Sequence, residues 1–123
     1  MGLAGFYLVE DEEERSLLLP RGHYNIPLML CRRQFNDDGS FRYNPHGHSG
    51  ADSDVILVNG AAWPVLQVER GKYRFRILNT SNATTFTLTL SSTLPFVQIA
   101  TDGLLMARPV EVPAHLDGDG GAG

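Results

Sequence analysis

Cysteine is nearly absent from this sequence, which has one, Cys31, among 123 residues. A single cysteine cannot form an internal disulfide, so the chain has to rely on one hydrophobic core for its stability. Long apolar runs are absent too: none reaches the roughly 18 residues that a membrane-spanning helix needs, and residues 1–5 lack the basic and apolar regions of a signal peptide. The sequence thus predicts no membrane partner, no transmembrane segment and no signal peptide in this chain, and it does not indicate a cellular location.

Basic charge is also scarce. The chain has 10 Lys and Arg against 14 Asp and Glu, a net charge of −4. It lacks a sustained basic or basic-aromatic motif, so no nucleic-acid partner is predicted. Five of the acidic residues form one run at 10–14. Such runs are usually solvated loops, and that is the prediction for this one.

Helical spacing of apolar residues is missing, whereas alternation with a period of two is common. Tyr73, Phe75 and Ile77 share one face of a strand, which we predict to be buried. The intervening Arg74 and Arg76 share the opposite face, which we predict to meet solvent or another domain. Comparable patterns predict further strands at 26–35, 55–58, 65–68, 85–90 and 96–100. Turn residues separate the strands at Asp38-Gly39, Asn59-Gly60, Arg70-Gly71 and Asp102-Gly103.

Short strands punctuated by turns are typical of an all-β sandwich or barrel. The last stretch, 113–123, differs from the rest in composition. It holds four glycines and two aspartates and no β-branched residue. Its apolar surface is too small to offset the entropy cost of ordering, so we predict a disordered tail.

His46 and His48 are the one pair of closely spaced histidines. Two imidazoles at this spacing are compatible with copper or zinc. Two ligands underfill a site, however, and the surrounding residues 44–53 are rich in Gly, Pro, Asn and Ser. We therefore predict an exposed loop and treat both histidines as weak metal candidates only.

Cys31 has no histidine near it in the sequence and is predicted to be a buried free thiol. The sequence has no G-x-S-x-G elbow, phosphate loop or H-E-x-x-H motif. No catalytic residue and no cofactor-binding residue is therefore predicted in this chain.

Several ordered motifs carry a more specific signal. They are Gly2-Leu3-Ala4-Gly5-Phe6-Tyr7-Leu8; Ile26-Pro27-Leu28-Met29-Leu30 with Phe35-Asn36-Asp37-Asp38-Gly39-Ser40; Asp54-Val55-Ile56-Leu57-Val58-Asn59-Gly60 with Trp63-Pro64; Lys72-Tyr73-Arg74-Phe75-Arg76-Ile77-Leu78-Asn79 with Ser81-Asn82; and Phe96, Gln98-Ile99, Asp102-Gly103 and Pro109-Val110. In this order they resemble part of the three-domain multicopper oxidases, in the group of the bacterial spore-coat laccases, bilirubin oxidases and phenoxazinone synthases. The resemblance covers residues 2–112.

The resemblance implies an all-β fold, a cupredoxin-like Greek-key β-sandwich that is incomplete at its C-terminus. It divides the chain into a remnant of the end of a first cupredoxin domain plus linker at 1–24, a second cupredoxin-like domain at 25–112, and the tail at 113–123. Because the family's second domain continues beyond the match, we expect an open sheet edge here and self-association through it.

The resemblance also implies a parent enzyme, a laccase-like copper oxidoreductase. The family's copper ligands lie in its first and third domains, and none of them corresponds to a residue of this chain. The expected function is that of a structural middle domain whose partners are the first and third domains, with no cofactor of its own and no activity alone. Two alternatives are a standalone cupredoxin-like binding or assembly module, and a subunit of an oligomeric copper oxidase whose ligands are supplied by a partner chain.

Overall fold

The computed structural model describes residues 3–43, 54–81, 84–92, 94–113 and 115–118. The described secondary structure is mostly β. Its elements are the short helix α1 (Glu12–Ser16), a 3-10 turn (Gly22–Tyr24), and strands β1 (Asn25–Phe35), β2 (Phe41–Arg42), β3 (Asp54–Val58), β4 (Ala61–Ala62), β5 (Arg74–Asn79), β6 (Phe86–Thr89), β7 (Phe96–Thr101), β8 (Leu104–Val112) and β9 (His115–Gly118). No helix among the described residues has the length and apolar character needed to cross a membrane. The chain forms two compact units, Met1–Asn82 and Ala83–Gly123.

β1 is the central strand of the first unit. It pairs antiparallel with β2 and β3 and parallel with β5, while β3 also pairs with β4. The buried apolar side chains among the described residues belong to this sheet: Leu30, Cys31 and Leu57, of which Cys31 and Leu57 are register partners. The core therefore sits where β1 meets β3.

The turn between β3 and β4 has two residues with positive φ, Asn59 at 51° and Gly60 at 83°. Two left-handed residues between the paired Val58 and Ala61 form the type I′ hairpin turn. Asn-Gly suits it because both residue types tolerate this conformation. The predicted turn at this position is confirmed.

The described residues of the second unit form two two-stranded pairings. β7 and β8 form an antiparallel hairpin with a register irregularity between Gln98 and Ala100, and its turn at Asp102-Gly103 again has positive φ at both residues. β6 pairs antiparallel with β9. The predicted strands at 26–35, 55–58, 73–77, 85–90 and 96–100 thus correspond to β1, β3, β5, β6 and β7.

Two predictions from local sequence are wrong. Residues 65–68 are not a strand: the chain leaves the sheet after Trp63, and apolar β-favouring residues form no strand without a partner to pair with. Within the tail, His115–Gly118 forms β9. It pairs with β6 through backbone N–H and C=O groups, so residues that do not favour strands can still form one. The division at residue 24 is a prediction that nothing in the structure tests, although α1 and β5 lie in the same compact unit.

Candidate functional site

The side chain of Asn59 extends the pairing of β1 beyond the end of β3. Its Oδ1 accepts a hydrogen bond from the Met29 backbone N at 2.8 Å, and its Nδ2 donates to the Pro27 carbonyl at 3.0 Å. The Asn59 backbone N also donates to the Met29 carbonyl at 3.0 Å. A side-chain amide has one acceptor and two donors, so it can replace a peptide group of a neighbouring strand.

Residues that follow β5 hold the same strand from its other side. The backbone N and Oγ1 of Thr80 donate to the Leu30 carbonyl at 2.9 and 3.0 Å. The Ser81 Oγ accepts from the Arg32 backbone N at 2.7 Å, while Asn79 Oδ1 accepts from the Ser81 N at 2.9 Å. We call Asn59, Thr80 and Ser81 the β1 clamp.

Two glutamates of the acidic run meet the two arginines of β5. Glu14 Oε1 lies 2.6 Å from Arg74 Nη2 and 2.5 Å from Arg76 Nη2, and Glu10 Oε1 lies 2.8 Å from Arg76 Nη2. The side chains of Glu14, Arg74 and Arg76 are only 11–16% exposed. We call these four residues the carboxylate latch.

The latch corrects two predictions. The acidic run is not a uniformly solvated loop, although its member Glu12 is 94% exposed at the side chain. On β5, Phe75 and Ile77 are 40% and 43% exposed, whereas the arginine face is the more covered one. Alternation identifies the two faces of a strand but not which is covered, and here ion pairing covers the charged face.

Local hydrogen bonds place Glu14 in the latch. Asp11 caps α1 by accepting from the Glu14 backbone N at 2.8 Å. The Arg21 guanidinium donates to the carbonyls of Arg15 and Leu17 at the other end of the helix. Side chains therefore cap this short helix at both ends, which holds the backbone that carries the Glu14 carboxylate.

The Glu14 carboxyl has a shifted pKa. Burial by itself raises the pKa, but the hydrogen bonds from Arg74 and Arg76 and their positive charges outweigh that effect. The pKa lies below its ordinary value of 4.5, so Glu14 is ionised at neutral pH.

A cleft of about 170 Å³ lies beside Glu14 and is lined by residues that include Glu10, Arg21 and Asn25.

An exposed apolar stretch follows the β3–β4 hairpin. Trp63, Val65, Leu66 and Val68 are 54–87% exposed. Trp63 also has a positive φ of 45°, and its backbone N donates to the Ile56 carbonyl at 3.1 Å. We call these four side chains the 63–68 apolar surface.

Potential copper ligands do not converge in the described part of the chain. Cys31 is buried and free, as predicted, and its sulfur lies 4.0 Å from the Arg32 carbonyl oxygen. The His23 ring is exposed and packs on Tyr24 at a centroid distance of 3.9 Å. Across residues 3–43, 54–81, 84–92, 94–113 and 115–118, no group of three or more His, Cys, Asp or Glu could hold a metal. This donor set does not fit a copper centre. His46 and His48 lie outside the described residues.

The described strands form an all-β, cupredoxin-like fold. A crystal structure of a variant of the multicopper oxidase McoA from Aquifex aeolicus matches the fold with a TM-score of 0.71 and 39% identity, over 88% of this chain and 25% of that one. The laccase of Bacillus stratosphericus is 46% identical over 89% of this chain and 24% of its own length. The cell division protein FtsP of Xenorhabdus nematophila is 42% identical over 90% of this chain and 24% of its own length. No protein-family model matches.

The chain corresponds to a segment of a multicopper oxidase, and laccases are among the relatives that it matches. It spans about a quarter of the length of the relatives it matches. The recognition of the family and of the cupredoxin-like fold from sequence motifs is confirmed. Asn59, Asn79 and Ser81 belong to those motifs, and the structure shows that their side chains organise β1.

Proposed function

We propose that this chain serves as a structural domain of a laccase-like multicopper oxidase. In that role it holds the copper-bearing domains of the larger protein at a fixed distance and orientation. Enzymes whose reacting groups lie on separate domains require such positioning, because small displacements of preorganised groups reduce the rate strongly. The 63–68 apolar surface is the observation that carries the proposal.

The 63–68 apolar surface is suited to packing against another domain. Trp63 and its neighbours follow directly on a sheet that already has its own core at Leu30 and Leu57, so the sheet does not need them for closure. Contiguous exposed apolar side chains usually mark an interaction site. Since the chain spans about a quarter of its relatives' length, the proposed occupant is another part of the same enzyme.

The carboxylate latch supports the same role at the other end of the sheet. It fixes residues 10–14 against β5, and these residues lead through the 3-10 turn into β1. The chain that precedes the latch is therefore tied to β5 at Glu10. We infer that the latch sets the orientation of the domain that comes before.

Under this proposal, the other domains of the enzyme bind the copper ions and carry out the oxidation. The described residues of this chain offer no converging set of imidazole and thiolate ligands, which copper sites of this type use. Under this proposal the chain alone does not oxidise phenols and retains no stoichiometric copper.

A chimera tests the proposal. The matching stretch of the Bacillus stratosphericus laccase is replaced by this chain, and phenol oxidation is measured after copper loading. We expect an active chimera that loses most of its activity with Trp63→Asp or Glu14→Gln but not with the exposed control Glu12→Gln. A soluble, copper-loaded chimera whose activity is insensitive to Trp63→Asp contradicts the scaffold role, as does phenol oxidation by the isolated chain.

One observation favours a second candidate, a binding or assembly module. Relatives named cell division protein FtsP share 40–42% identity with this chain over 90% of its length. The name of these relatives refers to cell division rather than to oxidation. A chimera that is folded but inactive, together with capture of a specific protein by the isolated chain through Trp63, would favour this candidate.

A further inference from the structure

Asn59 is followed by Gly60, and glycine leaves the next backbone nitrogen unhindered. That nitrogen is the nucleophile in asparagine deamidation, so Asn-Gly is the most reactive context for this reaction. The chain's other asparagines precede Ile, Asp, Pro, Thr and Ala. Asn59 is therefore chemically distinct from all of them.

The reaction balances without any partner other than water. The Gly60 backbone nitrogen attacks Cγ of Asn59, forms the ring C–N bond and loses its proton, and the side-chain nitrogen leaves as ammonia. Water then opens the succinimide at either carbonyl to give aspartate or isoaspartate. The net change consumes one water and releases one ammonia.

In the folded sheet, both ends of the Asn59 amide are occupied. Nδ2 donates to the Pro27 carbonyl at 3.0 Å, and Oδ1 accepts from the Met29 N at 2.8 Å. Departure of Nδ2 as ammonia requires the first bond to break, and pyramidalisation of Cγ disturbs the second. The pairing of Val58 with Ala61 also restrains the turn that contains the nucleophile.

We propose that Asn59 is a latent deamidation site whose reactivity is suppressed by the hydrogen bonds of its side chain to Pro27 and Met29. Opening of the sheet would then allow deamidation, which removes these hydrogen bonds permanently. A carboxylate at position 59 has no N–H for the Pro27 carbonyl and brings a negative charge to it. Isoaspartate adds a backbone methylene to a two-residue turn, which displaces the register of β3 and β4. Each product leaves β1 less firmly held than before.

The test follows the wild-type chain at one pH and temperature in buffer and in increasing urea. Deamidation is measured as the mass gain of the peptide that contains residue 59, and isoaspartate by its enzymatic methylation. In parallel, hydrogen exchange of the Met29 amide reports opening of the clamp. We expect deamidation in buffer to be slower than in denaturing urea by about tenfold or more, because reaction from an open state scales with its population. At intermediate urea, the deamidation rate should rise in step with Met29 exchange.

Two results would overturn the proposal. One is equal deamidation rates in folded and unfolded chain; the other is a deamidation rate that does not follow Met29 exchange. Asn59→Asp supplies an independent measurement, with Asn36→Asp as the matched control, since the Asn36 side chain donates to the Ser40 hydroxyl within its own exposed turn and the Asn36 backbone bonds to Gly39 and Ser40 of that turn. Asn59→Asp should lower the urea midpoint or prevent folding while Asn36→Asp does neither, and a normal midpoint for Asn59→Asp contradicts the proposal.

Discussion

Glu14 and Arg74 lie 60 positions apart in the chain, yet Glu14 Oε1 and Arg74 Nη2 are 2.6 Å apart and both side chains are nearly covered. The same oxygen also meets Arg76 at 2.5 Å. One carboxylate thus pairs with two guanidinium groups that project from one face of β5, and Glu10 supplies a second carboxylate to Arg76. Removing the Glu14 carboxylate leaves two partly buried positive charges with only the Glu10 carboxylate of the latch beside them, and breaking a buried ion pair in this way is costly.

Neutralising Glu14 should therefore destabilise the fold. We expect Glu14→Gln to lower the free energy of unfolding by about 2 kcal/mol, since it removes two charge-assisted hydrogen bonds and leaves Glu10, which pairs with Arg76, as the one remaining carboxylate of the latch. The matched control is Glu12→Gln in the same helix, where the side chain is 94% exposed and the change should stay within about 0.5 kcal/mol. Urea unfolding of both variants measures the difference, and equal effects would show that the latch carries no stability.

The lowered pKa of Glu14 predicts an acid-sensitive fold. Because the pKa is lower in the folded chain than its ordinary value of 4.5, the stabilisation is fully present above that value. It is lost as the pH falls from about 4.5 through the lower pKa of the folded state. Asp38 contributes in the same direction, because hydrogen bonds from the Ser40 side chain and backbone lower its pKa.

Thermal melts between pH 7 and pH 3 check this dependence. The Glu14→Gln variant should show a flatter decline in melting temperature than the wild type, because it has no carboxyl to protonate at the latch. Asp38→Asn should leave the Glu14 contribution in place. A wild-type profile that stays flat below pH 4.5 would contradict the assignment.

The Ser81 hydroxyl predicts a cost for a small substitution. Ser81→Ala removes the hydroxyl that accepts from the Arg32 backbone N, and we expect the free energy of unfolding to fall by about 1–2 kcal/mol because a short, partly buried hydrogen bond is lost. Ser92, which is exposed, supplies the control Ser92→Ala with an expected change near zero. Denaturant melts compare the two, and hydrogen exchange of the Arg32 amide should accelerate in Ser81→Ala alone.

Self-association is expected for the isolated chain. β9 pairs with β6, so the tail supplies a strand to the second unit. The 63–68 apolar surface, however, is exposed. When two chains associate through it, each Å² of apolar surface that is buried contributes about 25 cal/mol to the free energy of association. Sedimentation over a range of concentrations should show a dimer or higher species. Trp63→Ser should weaken it, whereas Tyr7→Ser, a control exposed side chain remote in sequence, should not; a strictly monomeric wild type contradicts this prediction.

Sequence reasoning found the parts of the fold that depend on local chemistry. The type I′ turn at Asn59-Gly60 follows from residues that tolerate positive φ, and the buried Cys31 follows from its apolar neighbours in β1. The family was recognisable because the polar residues of its motifs, such as Asn59 and Ser81, occupy positions that fix backbone geometry.

The latch and β9 were not predictable in the same way. An acidic run looks the same in sequence whether it is solvated or packed against a strand, and the position of Glu14 depends on two arginines that lie 60 and 62 positions away. For His115–Gly118, the strand is determined by the open backbone groups of β6 rather than by its own residues. Phe75 and Ile77 were predicted to be buried and are exposed, because alternation along a strand does not indicate which of its two faces is covered.

The parallel pairing of β1 with β5 has a consequence for synthesis on the ribosome. Asn25 to Leu30 pair with Arg74 to Asn79, so β1 emerges long before the strand that completes it. Until then, one side of an apolar strand has unsatisfied backbone groups, a condition that favours pairing with other nascent chains. The hairpin of β3 and β4 can cover the opposite side earlier. Slow translation between residues 63 and 74 would therefore lengthen the period in which the growing chain is most prone to aggregate.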